Sequence, residues 1–373
     1  MRIITLILLS TLFAEAAEER RFASHERLSL GTGSETTASL RIGDLDGDSD
    51  LDIAVANGRH WPHRNIVLFN QGRARFNLIR PLGQDLAASY ATELADLDND
   101  GDLDIVVGND NAPNVIFLND GQGTFQRHAT FGTPSSIRSL TLADIDLDGD
   151  VDILANARGR QNLIYFNDGS ANFENTQVFG NQVDSTIDVA VGDINNDGHP
   201  DLVLANRDAQ QNLILLNDGK TQFDERIPFG SGKDETRAIA VADLNGDGNL
   251  DWVAGNIGKL NTVYLGDGKG GISGTHNFGQ ADGRTYALAV ADMNNDGHLD
   301  IIAANTGQQN AVFFNQGDGK SYQEVRFGEA SEITYNLAVG DLNQNGFADI
   351  AVANSGSRNL VYLNLPVKKQ EGR

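Results

Sequence analysis

The chain of 373 residues contains no cysteine. Neither disulfides nor thiolate metal sites are therefore available to it. Basic residues are scarce: 28 Lys and Arg stand against 52 Asp and Glu, for a formal net charge of −24. Nucleic-acid binding needs a basic face to neutralise phosphates, and this composition argues against it. Beyond the first sixteen residues no segment is long or apolar enough to cross a bilayer. None keeps a sustained helical period either. Common catalytic signatures are missing as well. There is no Gly-x-Ser-x-Gly, no His-Glu-x-x-His, no phosphate loop and no dinucleotide fingerprint.

The N-terminus reads as a secretory signal over residues 1–16. Arg2 gives a positive start, Ile3 to Phe13 a short apolar stretch, and Ala14-Glu15-Ala16 a small-x-small cleavage site. The mature chain is then expected to begin at Ala17 and to be secreted, periplasmic or held at the cell surface. Residues 368–373 form a short polar tail, which leaves 17–367 as one domain.

What fills that domain is a repeat. The pattern Asp-x-Asp/Asn-x-Asp/Asn-x-x-x-Asp starts at Asp44, Asp96, Asp144, Asp193, Asp243, Asp292 and Asp341. The steps are 52, 48, 49, 50, 49 and 49 residues, so the chain is an array growing as one body. Around the fifth copy, Ala238 to Ala242, Trp252 to Asn256, Thr262 to Leu265 and a segment ending at Phe278-Gly279 are short apolar runs between turn residues. Such runs read as strands. Four strands per unit and seven units predict an all-β, seven-bladed β-propeller.

Small residues precede each loop (Gly43, Ala95, Ala143, Gly192, Ala242, Ala291 and Gly340), as face-to-face blade packing requires. Two positions earlier only Arg41 and Glu93 are charged, which suggests a pair between adjacent blades. The seventh unit stops after its third strand, Leu360 to Leu363. Its missing fourth strand is available in Phe22 to Leu30, which would close the ring and remove exposed edges.

The pairs Leu30-Gly31, Leu82-Gly83, Phe131-Gly132, Phe179-Gly180, Phe229-Gly230, Phe278-Gly279 and Phe327-Gly328 recur before the loops. With the acidic loop, the Ala-Asn after the second strand and the Asn-x-Gly turn, they carry a family resemblance from about Phe22 to Leu365. The chain resembles the FG-GAP and VCBS-type repeats of integrin α subunits, some fungal lectins and many secreted bacterial proteins. That resemblance implies a propeller with calcium in the loop joining the first two strands of each blade. It does not imply one function.

Oxygen side chains at loop positions 1, 3 and 5 open a loop of EF-hand type, with a bend at position 6, a carbonyl ligand at 7 and a carboxylate at 9. The candidate ligands are Asp44, Asp46, Asp48 and Asp52; Asp96, Asp98, Asp100 and Asp104; Asp144, Asp146, Asp148 and Asp152; Asp193, Asn195, Asp197 and Asp201; Asp243, Asn245, Asp247 and Asp251; Asp292, Asn294, Asp296 and Asp300; and Asp341, Asn343, Asn345 and Asp349. All are hard oxygen donors, which select Ca²⁺ over Zn²⁺. Up to seven ions are expected, one per blade. The seventh loop carries only two carboxylates and is expected to bind most weakly. His199 and His298 stand at position 7, where their rings should point to solvent.

The face opposite the acidic loops collects Arg59, Arg64, Arg138, Arg158, Arg160, Arg207, Lys233, Arg237, Lys259, Arg284 and Arg358, an overall basic lean. Its longest loop, Gly58 to Arg64, holds Arg59, His60, Trp61, His63 and Arg64. An aromatic beside hydrogen-bonding groups suits sugar stacking or a protein hot spot. Six residues before the acidic loops stand Ala38, Tyr90, Arg138, Ile187, Arg237, Tyr286 and Tyr335. These either ring the channel mouth or form the top layer of the inter-blade core. The leading expectation is an exported recognition or adhesion module for a glycan or an extracellular or envelope protein. The alternatives are a polysaccharide lyase or hydrolase at the channel mouth, with Tyr90, Arg138, Arg237, Tyr286 and Tyr335 as candidates, and a structural part of a surface assembly.

Overall fold

The computed structural model describes residues 19–31 and 33–367. The expected signal segment and the 368–373 tail lie outside the described residues. The described residues form seven antiparallel sheets, six of them with their strands in chain order from the centre outwards. The first blade is Thr37–Gly43, Asp52–Asn57, Ile66–Phe69 and Leu78–Pro81. The later blades open on Ser89–Ala95, Ile137–Ala143, Thr186–Gly192, Thr236–Ala242, Thr285–Ala291 and Thr334–Gly340. Each opening strand packs against the next, and Thr334–Gly340 packs back on Thr37–Gly43, so the seven-bladed ring is closed. Among the described residues no helix is long and apolar enough to cross a membrane.

The seventh blade is completed from the other end of the chain. Arg20–Ala23 and Ser29–Leu30 both pair with Asn359–Pro366, separated by a 3₁₀ turn at Glu26–Leu28. The expected single closing strand is thus two short pieces. Phe22 anchors the first piece between Phe314 and Phe327 of the sixth blade, with ring centroids 6.3 and 5.6 Å away.

Each second strand is buried from end to end, because neighbouring blades cover both of its faces. This explains sequences such as Ile53-Ala54-Val55-Ala56, which show no polar alternation. Fourth strands face solvent along most of their length instead: Glu225, Arg226 and Pro228 are exposed while Phe229 at the end is buried. Phe229 reaches into the fifth blade, edge-on to Trp252 and Tyr264 at 5.9 and 5.2 Å. The recurrent Phe of the Phe-Gly pair is therefore an inter-blade joint. The small residues before the loops serve the same contact. A Cβ added at Gly43 would stand 2.7 Å from Leu103 of the second blade.

Polar rings reinforce the apolar joints. At the end away from the acidic loops, an Asn opening each third strand reaches the Thr or Ser at the start of the next blade. Asn261 donates to Thr285 Oγ1 at 2.9 Å, and Thr285 donates to Asn305 Oδ1 at 2.9 Å. Asn310 continues the chain to Thr334, and Asn359 closes it onto Thr37. Of the seven junctions only the one into the third blade lacks the relay, because Ile137 and Ala157 stand where the others have Thr/Ser and Asn.

A Thr285→Val substitution keeps the shape but strands the Asn261 amide and the Asn305 carbonyl. It should destabilise the fold by about 1–3 kcal/mol, the cost of buried polar groups left unpaired. Chemical denaturation measures this, and an unchanged midpoint would remove the relay from the account of ring closure.

Candidate functional site

Each acidic loop leaves a first strand and ends on the first residue of the second. In loops two to seven the position 1 carboxylate accepts the N–H groups of positions 5 and 6. Asp96, for example, holds Asp100 and Gly101 at 3.1 and 2.9 Å. In the first loop Asp44 holds Gly47 and Ser49. The chain turns left-handed at position 6, as the glycines there anticipate, and Ser49 does so at φ 69°. It also turns left-handed at position 4, where Gly47, Asn99, Leu147, Asn196, Gly246, Asn295 and Gln344 stand. The second bend aims alternate side chains inward.

Position 9 is deeper than a surface ligand. Asp104 is fully buried and accepts Leu97 N–H and Asn119 N–H, both at 2.9 Å. The first six loops share this arrangement, at 2.7–3.0 Å. The Asn after each third strand then donates its side chain to the position 2 carbonyl of the preceding blade, as Asn119 does to Leu45 at 3.0 Å. Gly266 leaves that link unmade in the fifth blade. Burial pushes Asp52, Asp300 and Asp349 up to about 7 and Asp104, Asp152, Asp201 and Asp251 up to about 6.

Three loops bring carboxylates together within 4.8 Å of one another: Asp44, Asp46 and Asp48; Asp96, Asp98 and Asp104; Asp144, Asp146 and Asp152. Asp46 Oδ1 and Asp98 Oδ1 are buried and have no hydrogen-bond partner. Burial first, then neighbouring like charges, raises the carboxyls of Asp46, Asp98 and Asp146. Converging hard oxygens, mutual repulsion and orphaned acceptors fit a hard divalent cation. The seventh loop fits least, since Asn343 turns its amide onto Asp349 Oδ2 at 2.7 Å. His199 is half-buried and His298 exposed. Their rings lie over Gly219 and Gly317 of the neighbouring turns, as Asp150 lies over Gly169.

At the opposite end every first strand carries a register shift spanning the residue six before its loop. This bulge turns Ala38, Tyr90, Arg138, Ile187, Arg237, Tyr286 and Tyr335 into the channel, where they line the mouth of a cavity of about 470 Å³. Arg138 lies 4.3 Å over Tyr90, Arg237 lies 4.8 Å over Tyr286, and Tyr286 meets Tyr335 edge-on at 4.9 Å. Deeper in the channel Arg41 makes a bidentate pair with Glu93 at 2.7 and 2.5 Å, the predicted contact between adjacent blades.

The long first-unit loop bends over this mouth. Gly58 holds φ 98° with carbonyl oxygens 2.5 and 2.6 Å from where a Cβ would be, so only glycine fits. The turn lays Arg59 over the Tyr335 ring at 3.9 Å and brings His60 Nδ1 to 2.9 Å from the Tyr90 hydroxyl. His63 pairs instead with Glu35 at 2.9 Å, Arg64 is exposed, and Trp61 stands 71% exposed at the rim. Arg59, His60, Tyr90, Arg138, Arg237, Tyr286 and Tyr335 thus meet at one site. Trp61, His63 and Arg64 flank it.

A family model described as FG-GAP-like repeat matches residues 96–155, 144–204, 193–254, 243–303 and 292–352. The chain belongs to the FG-GAP-like repeat family. No curated protein matches it. Among solved structures it is similar to BBS1N in complex with ARL6DN, in crystals soaked with mercury and with lead. The first shares 12% identity at a TM-score of 0.62 and covers 94% of this chain and 97% of that one. The second shares 11% at 0.63, covering 95% and 98%. At this identity the likeness is one of fold.

Within this FG-GAP-like array the basic lean of the second face is partly neutralised. Arg158 pairs with Asp208 at 2.7 Å, Arg207 with Glu235 at 3.3 Å, Lys259 with Asp234 at 2.7 Å, and Arg138 with Asp110 at 3.3 Å. Sequence reasoning missed Asp110 and also Asp188, a channel residue whose carboxylate accepts Ile239 N–H at 3.1 Å. Asp188 carried a signal, because the other repeats have Ser, Ala or Asn there.

The buried position 9 aspartates set a pH dependence for the chelated protein. Their folded pKa values of about 6–7 lie above the ordinary 3.8, so between those limits the folded chain holds protons that the unfolded chain releases. Stability in chelator should therefore fall as pH rises from about 4 to 7. Thermal melts in EDTA across that range test it, and a melting temperature that climbs instead would contradict the assignment.

Proposed function

We propose that this protein is an exported, calcium-stabilised propeller that recognises a ligand at the channel mouth opposite its acidic loops. The observation that carries the reading is the convergence of Arg59 and His60 on the ring of Tyr90, Arg138, Arg237, Tyr286 and Tyr335 over one cavity. The frame repeats; this place does not. Concave sites lined by aromatics with a few converging polar groups suit ligand capture. A glycan suits the rim, where exposed Trp61 can stack on a sugar ring. The BBS1N structure in complex with ARL6DN supports a protein ligand as the other candidate, through the fold alone.

Calcium would be held by the side-chain oxygens of Asp44, Asp46 and Asp48 and by the equivalent sets in the other loops. It supplies charge neutralisation and a cross-link in a chain that has no disulfides. A lyase reading is less well supported. The Tyr90–His60 contact is the arrangement closest to an acid–base pair in the basin, but burial raises the Tyr90 phenol above its ordinary value. That works against proton abstraction.

Ions that bind only the folded state raise its stability by mass action. Excess EDTA at neutral pH should therefore lower the melting temperature by ten degrees or more on the order expected for several lost sites. Calorimetric titration should fill the seventh loop last, and Asp341→Asn should remove the weakest step. An unchanged melt in EDTA sinks the calcium claim. On a glycan array in calcium, Trp61→Ala should weaken binding by about tenfold or more, with the loss of an aromatic that stacks on the ligand. An array with no calcium-dependent binder rejects the glycan reading.

A further inference from the structure

Two arginines in the channel mouth have no anionic partner. Arg237 is half-buried at its root, with Nε fully enclosed, and its guanidinium makes no hydrogen bond or ion pair among the described residues. Arg59 is in the same position: its Nε is enclosed and unpartnered, and the Tyr335 ring lies against its guanidinium. Both guanidinium carbons sit over Tyr335, at 3.9 Å for Arg59 and 6.0 Å for Arg237. Burial, together with Arg207 and Arg138, pulls Arg237 down to about 10 against the opposing influence of Tyr286 and Asp188. Elsewhere on this face Arg138, Arg158, Arg207 and Lys259 each have a carboxylate. Arg64, Arg160, Lys233, Arg284 and Arg358 have no carboxylate partner among the described residues either, but they are exposed. Of this face's cations Arg59 and Arg237 are the ones with an enclosed Nε, and both reach Tyr335 at the mouth of one cavity.

Stacking on tyrosine fixes a guanidinium in orientation and leaves its N–H edge free for a planar anion. A carboxylate matches that edge. The cavity also holds acceptors: Asp188 lines it, and Glu93, paired with Arg41, stands below, whereas Asn336 Oδ1 is already taken by Leu40 N–H and Arg41. Asp188 opposes a dense polyanion but accepts from hydroxyl groups. A volume of about 470 Å³ admits one ring-sized unit. We propose, resting on the recognition reading above, that the channel mouth binds a uronic acid unit, with its carboxylate on Arg59 and Arg237 and its hydroxyls on the acceptors below.

Calorimetry at low salt with free D-glucuronate, D-glucose, sulfate and N-acetyl-aspartate amide tests this. Glucuronate should bind, glucose should not, and both Arg237→Gln and Arg59→Gln should weaken glucuronate at least tenfold. Arg284→Gln, an exposed change on the same face, should leave binding as it was. The melting temperature of Arg237→Gln should hold or rise, since an unpaired buried charge destabilises the free fold. That last readout separates a ligand-binding role from a structural one. Failure of wild type to bind glucuronate, or binding unchanged in both variants, overturns the proposal. Equal binding of sulfate shows a bare anion hole and overturns the sugar assignment; tighter binding of the aspartate amide does so in favour of a peptide. An array that returns only neutral glycans leaves the recognition reading standing and overturns this one.

Discussion

A buried carboxylate at the head of each second strand holds two backbone amides at once in six of the seven blades. One belongs to its own acidic loop and the other to the residue just past the third strand. Three segments of each blade are thereby pinned at one end. The residue whose amide it holds is usually an asparagine, and that side chain reaches the preceding blade. A local contact thus becomes a ring of contacts around the molecule. The price is a carboxyl buried in a region already crowded with charge, and a cation among the loop oxygens would offset it.

The opposite end has its own ring, built from Asn, Thr and Ser, with apolar joints between the two. Phe229 in the fifth blade's core shows how far each blade depends on its neighbour. Such a frame gives the same backbone at seven positions, including the same bulge in each first strand. The bulge presents one side chain per blade to the channel, and there the repeats differ most: alanine, isoleucine, tyrosine or arginine. Specific chemistry is concentrated where a uniform scaffold tolerates variation.

Much of this was legible in the chain. The period, the acidic loops and the Phe-Gly pairs point to seven blades, and the truncated last unit points to closure by Phe22 to Leu30. The Arg41–Glu93 pair could be read because the two charges occupy equivalent places in adjacent repeats. The basic lean of the second face was overstated by the sequence, because partners such as Asp208 and Glu235 lie in neighbouring blades and charge counting does not pair them. The rings of His199 and His298 were expected in solvent. His298 is indeed exposed and His199 half-buried, and both rings lie beside glycines of a turn brought near only by the fold.

The sequence by itself determined the architecture, since each unit carries its own strand periods, turn residues and small packing positions, and these are local properties. It also determined which oxygens crowd each acidic loop, because nine contiguous residues set that geometry. Only the tertiary structure decided the phase of the first strands. A strand with regular alternation would send Tyr90, Tyr286 and Tyr335 toward the core, and the bulge sends them to the channel. It alone decided that Arg59, from one loop, meets Arg237 and Tyr335 from blades far along the chain. The reason is closure: residues distant in sequence become neighbours only when the last blade docks on the first.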